Sequence, residues 1–546
     1  MADAQWWRTA AIYQIYIRSF ADSDGDGIGD IAGIRSRLGY LAQLGVDAIW
    51  ITPWYASPNN DGGYDVRDYR AIDPAYGDLR EAELLIGEAH QHGLRVILDI
   101  VPNHTSTDHP WFQAALAAPP GSPERARYHF VDGRGASGEL PPNDWRSTFG
   151  GSAWQRVTEA DGEPGQWYLH LFDPTQADLN WSHPEVHREF LDILRFWFDR
   201  GVDGFRIDVA TGLVKHPGYP DLGYREEDLL VLTNVPDHPH RDRDGVHAIY
   251  RDWRRLAGEY DPPRIFVAEA WVADSERLAR YVAPGQLHTT FNFPFLQSAW
   301  DAGELSSVIE STLHAMSRVG APPTWVLSNH DVERTVTRYG RANTRKQPGR
   351  SGHELGPVDV ELGRRRARAA ILLMLALPGV AYLYQGEELG LPDHMDIPVD
   401  RIQDPIWTRS GGRRRGRDGC RVPLPWTLDP KGAGFGSADP WLPQPDGWET
   451  HSVQSQLDDP TSTYHLVARA LRIRRSLGAP QELEWVVRPD SVLRFRRGSA
   501  FECIVNLGAT EVPVPAGAVP LLRSDTIDVT PDPLGPDTAV WLRPRG

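Results

Sequence analysis

The stretch Gly204-Phe205-Arg206-Ile207-Asp208 decides the fold, because it is a short, largely apolar run that ends in a carboxylate. Val267-Ala268-Glu269-Ala270-Trp271 and Ser328-Asn329-His330-Asp331 show the same arrangement further along the chain, each at the end of an apolar run. Strands that are buried on both faces of a parallel sheet have short apolar sequences of this kind. Three acids at the ends of three such strands predict a shared pocket with acid and nucleophile chemistry.

Five other apolar runs also have the character of buried strands: 11–17, 48–52, 96–100, 289–291 and 380–384. With 204–209, 265–268 and 325–327 they make eight, and helical patterns lie between most of them. Eight alternations of strand and helix predict an α/β fold with a (β/α)8 barrel. Active sites of this fold lie at the carboxyl ends of the strands, which is where Asp208, Glu269 and Asp331 fall.

Two segments depart from the alternation. Residues 104–172 are too long for a loop and are rich in Pro, Gly and Trp, so they predict a small inserted domain after strand 3. Residues 480–546 contain short strand-like runs joined by turns and predict a C-terminal β-sandwich. The catalytic barrel would then comprise residues 1–103 and 173–479.

The composition argues against several partners. The net charge of −17 disfavours nucleic acid and anionic membranes, and we interpret the arginine run 364–368 as a solvated helix face. The longest apolar run, 369–384, is interrupted by Pro378 and is shorter than the roughly 20 residues that span a bilayer. Two cysteines and no apparent signal peptide lead us to expect a cytoplasmic protein without disulfides. Both a monomer and a homodimer remain open.

The residue types at the strand ends suggest roles. Arg206 and Asp208 are two positions apart in a strand, so their side chains share a face, and the guanidinium is expected to lower the pKa of a nucleophilic carboxylate. Glu269 follows an apolar strand and precedes Trp271, and low polarity raises a carboxyl pKa, as a general acid needs. Taken alone, each acid also has a structural interpretation. Asp208 could form an ion pair at the barrel rim, Glu269 could be a capping residue, and Asp331 could be a turn residue.

Histidines and aromatic residues add a sugar-binding pattern. His104 and His330 follow two different predicted strands and could donate hydrogen bonds to sugar hydroxyls, although a single histidine is more often structural. Four aromatic residues could stack on sugar faces: Tyr64, Phe149, Phe172 and Trp271. For Phe172 and Trp271, packing at the barrel rim is the alternative.

Four motifs together resemble one known family: DIVPNH (99–104), GFRIDVA (204–210), EAW (269–271) and SNHD (328–331). The chain resembles the α-amylase superfamily of glycoside hydrolases (family 13), and within it the α-glucosidase and oligo-1,6-glucosidase group. QADLN at 176–180 is close to that group's fifth motif. The resemblance extends from about Trp6 to Arg475.

The resemblance implies a role for each strand-end residue. Asp208 would be the nucleophile, Glu269 the acid/base and Asp331 the transition-state stabiliser. His104, Arg206 and His330 would surround the first sugar. Asp61 and Arg417 would clamp its non-reducing end and make the enzyme exo-acting, with small oligosaccharides as substrates and retention of the anomeric configuration.

Specificity signals within this group conflict. Val209, after the nucleophile, tends to accompany α-1,6 activity, whereas Ala270-Trp271 replaces the Met-Pro of typical oligo-1,6-glucosidases and favours α-1,4. We therefore expect an α-1,4 or mixed exo-α-glucosidase. An oligo-1,6-glucosidase, and a transglucosylase or sucrose isomerase on the same scaffold, are the alternatives. The segment 400–404 lacks the second arginine of the isomerase loop, which weakens the isomerase alternative.

A possible metal loop follows the first strand. Asp22, Asp24, Asp26 and Asp30 alternate around a glycine at the sixth position, as in the first part of an EF-hand loop, but Gly33 replaces the bidentate glutamate. The resembling group carries Ca²⁺ at this loop, bound through these four aspartates and the Ile28 carbonyl. We expect a structural Ca²⁺, with Mg²⁺ as the alternative.

Overall fold

A computed structural model describes residues 3–223, 238–347, 352–478, 482–487, 490–526 and 530–544. The predicted domain boundary at 479–480 lies outside these residues. The described strands are β1 (Ala11–Ile15), β2 (Ala48–Ile51), β3 (Tyr55–Ala56), β4 (Asp68–Ile72), β5 (Arg95–Ile100), β6 (His104–Ser106), β7 (Phe130–Val131), β8 (Trp154–Thr158), β9 (Pro164–Leu169), β10 (Gln176–Asp178), β11 (Gly204–Ile207), β12 (Ile265–Ala268), β13 (Thr289–Thr290), β14 (Thr324–Val326), β15 (Val380–Tyr384), β16 (Glu484–Val487), β17 (Val492–Arg497), β18 (Phe501–Asn506), β19 (Val519–Arg523) and β20 (Thr538–Arg543).

The described α-helices are α1 (Ile31–Ser36), α2 (Leu38–Leu44), α3 (Leu79–Gln91), α4 (Pro110–Ala117), α5 (Pro123–Ala126), α6 (Pro184–Phe198), α7 (Val246–Ala257), α8 (Ser275–Arg280), α9 (Phe293–Gln297), α10 (Ala302–Val319), α11 (Thr335–Tyr339), α12 (Val360–Ala376), α13 (Pro405–Arg409), α14 (Asp418–Arg421), α15 (Val453–Asp458) and α16 (Thr463–Ser476). None of the described helices is long and apolar enough to cross a membrane.

The eight predicted barrel strands form one parallel sheet in the order β13-β12-β11-β5-β2-β1-β15-β14. Their residues alternate between two apolar clusters. Tyr13 and Ile15 pack outward in the main core with the helices, whereas Ile12, Trp50 and Val267 belong to a second cluster inside the barrel. Strands buried on both faces need apolar side chains throughout, and this explains why no alternation is visible in the sequence. The predicted barrel fold is confirmed.

The surrounding helices bury one stripe each. In α3, Ala82, Leu85, Ile86 and Ala89 are buried, at the spacing of one helix face. Asp78 begins this helix by accepting a hydrogen bond from the Glu81 backbone N–H at 2.8 Å, which satisfies one of the otherwise unpaired amide groups. Local capping and the apolar stripe therefore agree about where the helix lies.

The segment between β5 and β11 has its own small sheet, in the order β7-β9-β8. A separate apolar cluster around Trp145, Trp154 and Leu169 lies beneath it. The short strand β10 returns to the barrel and pairs antiparallel with β6, which brings Asp178 opposite His104. The inserted segment therefore reaches the carboxyl ends of the barrel strands.

The C-terminal strands form a five-stranded antiparallel sheet in the order β16-β17-β18-β20-β19. One face, with Phe495 and Trp541, joins the main core. The other face forms a smaller cluster with Leu534 and the partly buried Val512. Among the described residues, the second layer of the predicted β-domain is thus a paired segment around Val512 and Leu534 rather than a second multistranded sheet. The strand β19 had no apparent sequence signal.

The interpretation of 364–368 as a solvated helix face was wrong. Arg366 Nε forms an ion pair with Asp537 at 2.9 Å, and Arg368 Nε donates to the Ser524 carbonyl at 2.7 Å. Both partners belong to the C-terminal domain. The arginine run therefore joins α12 to that domain, a contact that sequence separation conceals.

The substitution Trp541→Ala is expected to lower the free energy of unfolding by about 3–5 kcal/mol. Trp541 is fully buried between the sheet and α12, and its Nε1 donates to the Leu372 carbonyl at 3.1 Å. The matched control is Val519→Ala on β19, where the side chain is 54% exposed and a loss within about 0.5 kcal/mol is expected. If urea unfolding shows that both variants lose the same free energy of unfolding, the buried packing of Trp541 is contradicted.

Candidate active site

Neighbouring strands bring the three acids to one end of the barrel. Asp208 and Glu269 directly follow β11 and β12, and these strands pair with Ile207 opposite Ala268. The next residue of each strand must therefore lie beside the other at the carboxyl end of the sheet. Asp331 lies beyond β14, on the far side of the same opening. The predicted constellation is brought together.

Arg206 is the central cation of the site. Its guanidinium contacts Asp99 at 2.7 Å, Asp208 at 2.6 Å and Glu269 at 2.7 Å. The side chain is only 2% exposed. The pairing of β11 with β5 places Arg206 opposite Asp99, so the strand register itself produces the contact. One buried guanidinium thus orients three carboxyl groups.

The pKa of Asp208 differs from the sequence-based expectation. Burial raises it well above its usual range, the Arg206 charge opposes this, and the nearby carboxylates Glu269 and Asp99 raise it further. The expected lowering by Arg206 is therefore outweighed. Arg206 contacts both carboxyl groups, so Asp208 and Glu269 lie side by side at the end of the sheet.

Glu269 accepts two further hydrogen bonds. The Val209 backbone N–H donates to Oε2 at 3.0 Å, and the Trp271 indole Nε1–H donates to Oε1 at 3.1 Å. Val209 has a φ of +47°, a left-handed conformation that is strained for a β-branched residue. The strained turn directs an amide group at Glu269, so the residue after the candidate nucleophile positions the candidate acid.

The Asp331 carboxylate lies between two guanidinium groups and the His330 ring. Its Oδ1 accepts hydrogen bonds from Arg417 Nη1 at 2.9 Å and Arg421 Nη2 at 2.8 Å, and His330 Nε2 lies 3.3 Å from Oδ2. Burial alone would raise the pKa of Asp331, but His330, Arg417 and Arg421 hold it well below its usual range. Asp331 is therefore ionised.

Arg417 also contacts two further acids. Its Nη2 donates to Asp61 Oδ1 at 2.9 Å, and its Nε donates to Asp404 Oδ2 at 2.7 Å. Gln176 Nε2 donates to the other Asp61 oxygen at 3.2 Å. The predicted pair Asp61 and Arg417 is therefore in direct contact, and it links loops that lie far apart in the sequence.

The two predicted histidines are neutral and buried. Burial lowers the pKa of His104 to about 4 and that of His330 to about 3. His330 Nε2 lies 2.8 Å from the Tyr64 hydroxyl, and its Nδ1 lies 2.7 Å from Gln14 Nε2. The Tyr64 ring also stacks on the His330 ring, with centroids 5.3 Å apart. Tyr64 thus lies inside the site, in contact with His330.

The other predicted aromatic residues occupy different surroundings. The Arg417 guanidinium lies over the Phe149 ring, with its central carbon 5.2 Å from the ring centroid. Phe172 contacts both Phe149 and His104 with centroids 5.8 and 5.2 Å apart. Trp271 is stacked on Phe293, with centroids 3.7 Å apart. One face of the Trp271 indole is therefore covered by Phe293, as expected for a residue that packs at the barrel rim.

The predicted metal loop brings together three of its four acids. Carboxylate oxygens of Asp22, Asp24 and Asp30 lie within 4.8 Å of one another, whereas Asp26 Oδ1 accepts the Ile28 backbone N–H at 2.7 Å. Burial raises the pKa of Asp26, and the neighbouring acids add to the increase. Gathered carboxylates repel each other, so this oxygen-rich loop fits a hard cation.

Five further residues contact the site and were not among the predicted site residues: Asp99, Gln176, Asn329, Asp404 and Arg421. Asp99, Gln176 and Asn329 fall within the motifs quoted above, Arg421 ends the stretch GRDGCR (416–421), and Asp99 lies near the end of its predicted strand. Asp404 had no local signal, because its role depends on the contact with Arg417, thirteen residues later.

Comparison with known proteins identifies the class. Residues 14–479 match the family described as Alpha amylase, catalytic domain, so the chain belongs to the α-amylase family of glycoside hydrolases. It is 36% identical over 526 residues to a probable alpha-glucosidase of Rhizobium meliloti (strain 1021), covering 92% of this chain and 90% of the relative. It is 32% identical over 506 residues to an oligo-1,6-glucosidase of Heyndrickxia coagulans, covering 86% and 85%.

A solved structure agrees with the sequence relatives. The alpha-glucosyl transfer enzyme XgtA superposes with a TM-score of 0.83 at 35% identity, over 99% of both chains. The chain is therefore a family 13 glycoside hydrolase similar to the α-glucosidases and oligo-1,6-glucosidases. The predicted family, fold and class of enzyme are confirmed.

Acid is expected to destabilise the protein through His104 and His330. Each has a folded-state pKa below its unfolded value near 6.5, so the stability they contribute is present above pH 6.5 and is lost as pH falls towards the folded values. At pH 5 each histidine should lower the free energy of unfolding by about 2 kcal/mol, at ~1.36 kcal/mol per pH unit.

Urea unfolding at pH 7 and pH 5 tests this effect. The double variant His104→Asn/His330→Asn should lose about 4 kcal/mol less between these pH values than the unaltered protein. His314→Asn, at an exposed position on α10, is the matched control and should leave the difference unchanged. An unchanged difference in the double variant would contradict buried neutral histidines.

Proposed function

We propose that the protein is a retaining exo-α-glucosidase that releases α-glucose from the non-reducing end of maltose-like oligosaccharides. The observation that carries the proposal is the buried Arg206, which holds Asp208 and Glu269 side by side, together with an ion pair of Asp61 and Arg417 that would close the pocket. Two neighbouring carboxyl groups are what a double displacement needs, and a pocket closed by this ion pair would admit only a terminal sugar.

The reaction would proceed in two steps. Glu269 donates a proton to the glycosidic oxygen while the Asp208 carboxylate attacks the anomeric carbon, and the remaining oligosaccharide leaves as the free alcohol. Glu269 then takes a proton from water, which attacks the same carbon and releases glucose and Asp208. Because burial raises the pKa of Asp208, its ion pair with Arg206 at 2.6 Å has to keep this group ionised for the first attack.

The remaining charged residues would act on the sugar. Asp331 stays ionised beside Arg417 and Arg421, so it can accept hydrogen bonds from sugar hydroxyls that shorten as the ring flattens. Such contacts favour the transition state over the bound substrate. The neutral His104 and His330 can donate hydrogen bonds in the same pocket.

The linkage preference is proposed as α-1,4 or mixed. Trp271 packs on Phe293 and donates a hydrogen bond to Glu269, so it lies directly beside the proposed acid. A rigid indole at this point supports a preference for one approach of the leaving sugar. Val209 remains the residue that favours α-1,6 activity.

Proton NMR with equal maltose and isomaltose tests the function. We expect early α-glucose from maltose and slower loss of isomaltose, and no glucose release from Asp208→Ala. Faster loss of isomaltose would assign an oligo-1,6-glucosidase, and early β-glucose would contradict retention. Glucose release retained by Asp208→Ala would contradict the assignment of the nucleophile.

A second candidate function is glucosyl transfer. The likeness to a solved alpha-glucosyl transfer enzyme at 35% identity favours it, because a sugar hydroxyl can replace water in the second step of the same mechanism. In the NMR experiment, new disaccharide signals without free glucose would identify a transferase. Arg401 belongs to the segment 400–404, which was compared above with the sucrose isomerase loop. Its guanidinium donates hydrogen bonds to Asp439 and to the Pro440 carbonyl.

We also propose that the loop 22–30 holds a structural Ca²⁺. Asp22, Asp24 and Asp30 would supply carboxylate oxygens, and Asp26 and the Ile28 carbonyl would complete the set. The loop is tied to the remainder of the barrel domain through Asp22 N–H to the Phe435 carbonyl at 2.9 Å. A bound cation would therefore stabilise this junction without entering the reaction.

Chelation is expected to lower the melting temperature. Free Ca²⁺ at 100 times its Kd should stabilise the folded protein by about 2.7 kcal/mol. Asp24→Asn should abolish the Ca²⁺ response, whereas Asp161→Asn, the same charge change on an exposed loop, should retain it. Equal melting temperatures in EDTA and Ca²⁺ would contradict the site.

A further inference from the structure

Gln14 is a buried polar residue in the first barrel strand, β1, and its side chain reaches the active site. It lies two positions after Ile12, which belongs to the apolar cluster inside the barrel, so the side chain of Gln14 also points inward. It is 1% exposed, and a buried amide needs hydrogen-bond partners. Its Nε2 lies 2.7 Å from His330 Nδ1. Gln14 therefore contacts a predicted sugar-binding histidine from within the barrel.

The two ring nitrogens of His330 must have different roles. The ring is buried, and burial lowers its pKa to about 3, so the ring is neutral near pH 7. A neutral imidazole has one N–H donor and one acceptor nitrogen. The partners of the two nitrogens decide which of them carries the proton.

The neighbours of His330 Nε2 favour a proton on this nitrogen. The Tyr64 hydroxyl lies 2.8 Å from Nε2 and donates to Asp99 Oδ2 at 3.1 Å. An ionised carboxylate can only accept, and a hydroxyl has a single proton, so the Tyr64 oxygen is left to accept from Nε2. Asp331 Oδ2 lies 3.3 Å from the same nitrogen, where it would be repelled by a lone pair. Both neighbours thus favour the Nε2–H tautomer.

Gln14 supplies the donor that the other nitrogen then needs. An amide nitrogen can only donate, so its position 2.7 Å from Nδ1 fits an unprotonated Nδ1. If the amide were turned round, its oxygen would require a proton on Nδ1, and the Nε2 lone pair would face the Asp331 carboxylate. The surrounding hydrogen bonds therefore assign both the amide orientation and the tautomer.

We propose that Gln14 is a positioning residue that fixes the Nε2–H tautomer of His330. The hydrogen bonds of this part of the site then all run in one direction. Gln14 donates to His330, and His330 donates to Tyr64. Tyr64 donates to Asp99, whose other oxygen accepts from Arg206 at 2.7 Å. A chain of hydrogen bonds that begins on β1 thus ends at the cation that holds the candidate nucleophile.

The tautomer matters for the reaction because of what faces the pocket. The Nε2–H of His330 lies beside the ionised Asp331, where it can also donate to a sugar hydroxyl. The opposite tautomer would present a lone pair there and would repel the carboxylate. This effect on the rate rests on the proposed α-glucosidase function, whereas the tautomer itself does not.

NMR of the full chain with ¹⁵N-labelled histidine reads the tautomer directly, because protonated and unprotonated ring nitrogens resonate far apart. The His330 signals are those that are lost in His330→Asn. At pH 7 we expect Nδ1 at the unprotonated position and Nε2 at the protonated one. The reverse pattern, or protonation of both nitrogens, would overturn the proposal.

The variant Gln14→Glu replaces the donor by an acceptor of the same shape. We expect a proton to appear on Nδ1 of His330. The kcat for p-nitrophenyl α-glucoside should fall about 10- to 100-fold with little change in KM, since a hydrogen bond beside the Asp331 carboxylate is lost in the transition state. Gln155→Glu, the same change at an exposed position on β8, is the matched control and should alter neither the His330 signals nor kcat.

A second variant keeps the test decisive if Gln14→Glu does not fold. Gln14→Met keeps a side chain of similar length and removes the donor without adding a charge, and it should also lower kcat rather than raise KM. Unchanged kcat in folded Gln14→Met, or an Nδ1 that stays unprotonated in Gln14→Glu, would overturn the proposal.

The two measurements also separate this proposal from the proposed function. Release of nitrophenol reports the first step of the reaction, whether water or a sugar completes the second. If the unaltered protein releases none, the proposed function is contradicted, and the nitrogen signals of His330 still decide the role of Gln14.

Discussion

The buried guanidinium of Arg206 is the interaction on which the active site depends. Three carboxyl groups from three adjacent strands meet it within 2.7 Å, and they could not lie together without a cation. Burying charges is costly unless the geometry of the pairs is good. The barrel provides that geometry, because the register of β5, β11 and β12 places Arg206, Asp99 and the two following acids in one layer.

A second arginine organises the opening of the pocket. Arg417 contacts Asp61, Asp331 and Asp404, which come from separate loops after different strands. Loops at the carboxyl end of a barrel vary freely, so a shared cation is an effective way to fix their relative positions. The two arginines have different positions: Arg206 holds the candidate reacting acids, and Arg417, in the proposed function, would limit how much of a sugar chain can enter.

Much of this was accessible from the sequence, for physical reasons. The eight apolar runs predicted the barrel because strands buried on both faces must be apolar, and Asp208 and Glu269 were found because they end such runs. The pKa of Asp208 was predicted in the wrong direction. The spacing of residues along one strand reveals the neighbouring Arg206, but it reveals neither the burial of Asp208 nor the carboxylate of Asp99 on the adjacent strand. Asp404 and the docking role of Arg366 were not found, since both depend on contacts between distant segments. The strained φ of Val209 has no sequence signature at all.

The most direct test of the account is to trap the covalent intermediate. A 5-fluoro-α-glucosyl fluoride forms the glucosyl ester quickly and hydrolyses slowly, because the fluorine destabilises the positively charged transition state of both steps while the fluoride is a good leaving group. We predict that mass spectrometry of the digested protein will find one fluoroglucosyl group on the peptide that contains Asp208, and none in Asp208→Ala. A label on Asp99, Glu269 or Asp331 would contradict the arrangement in which Arg206 presents Asp208 to the anomeric carbon.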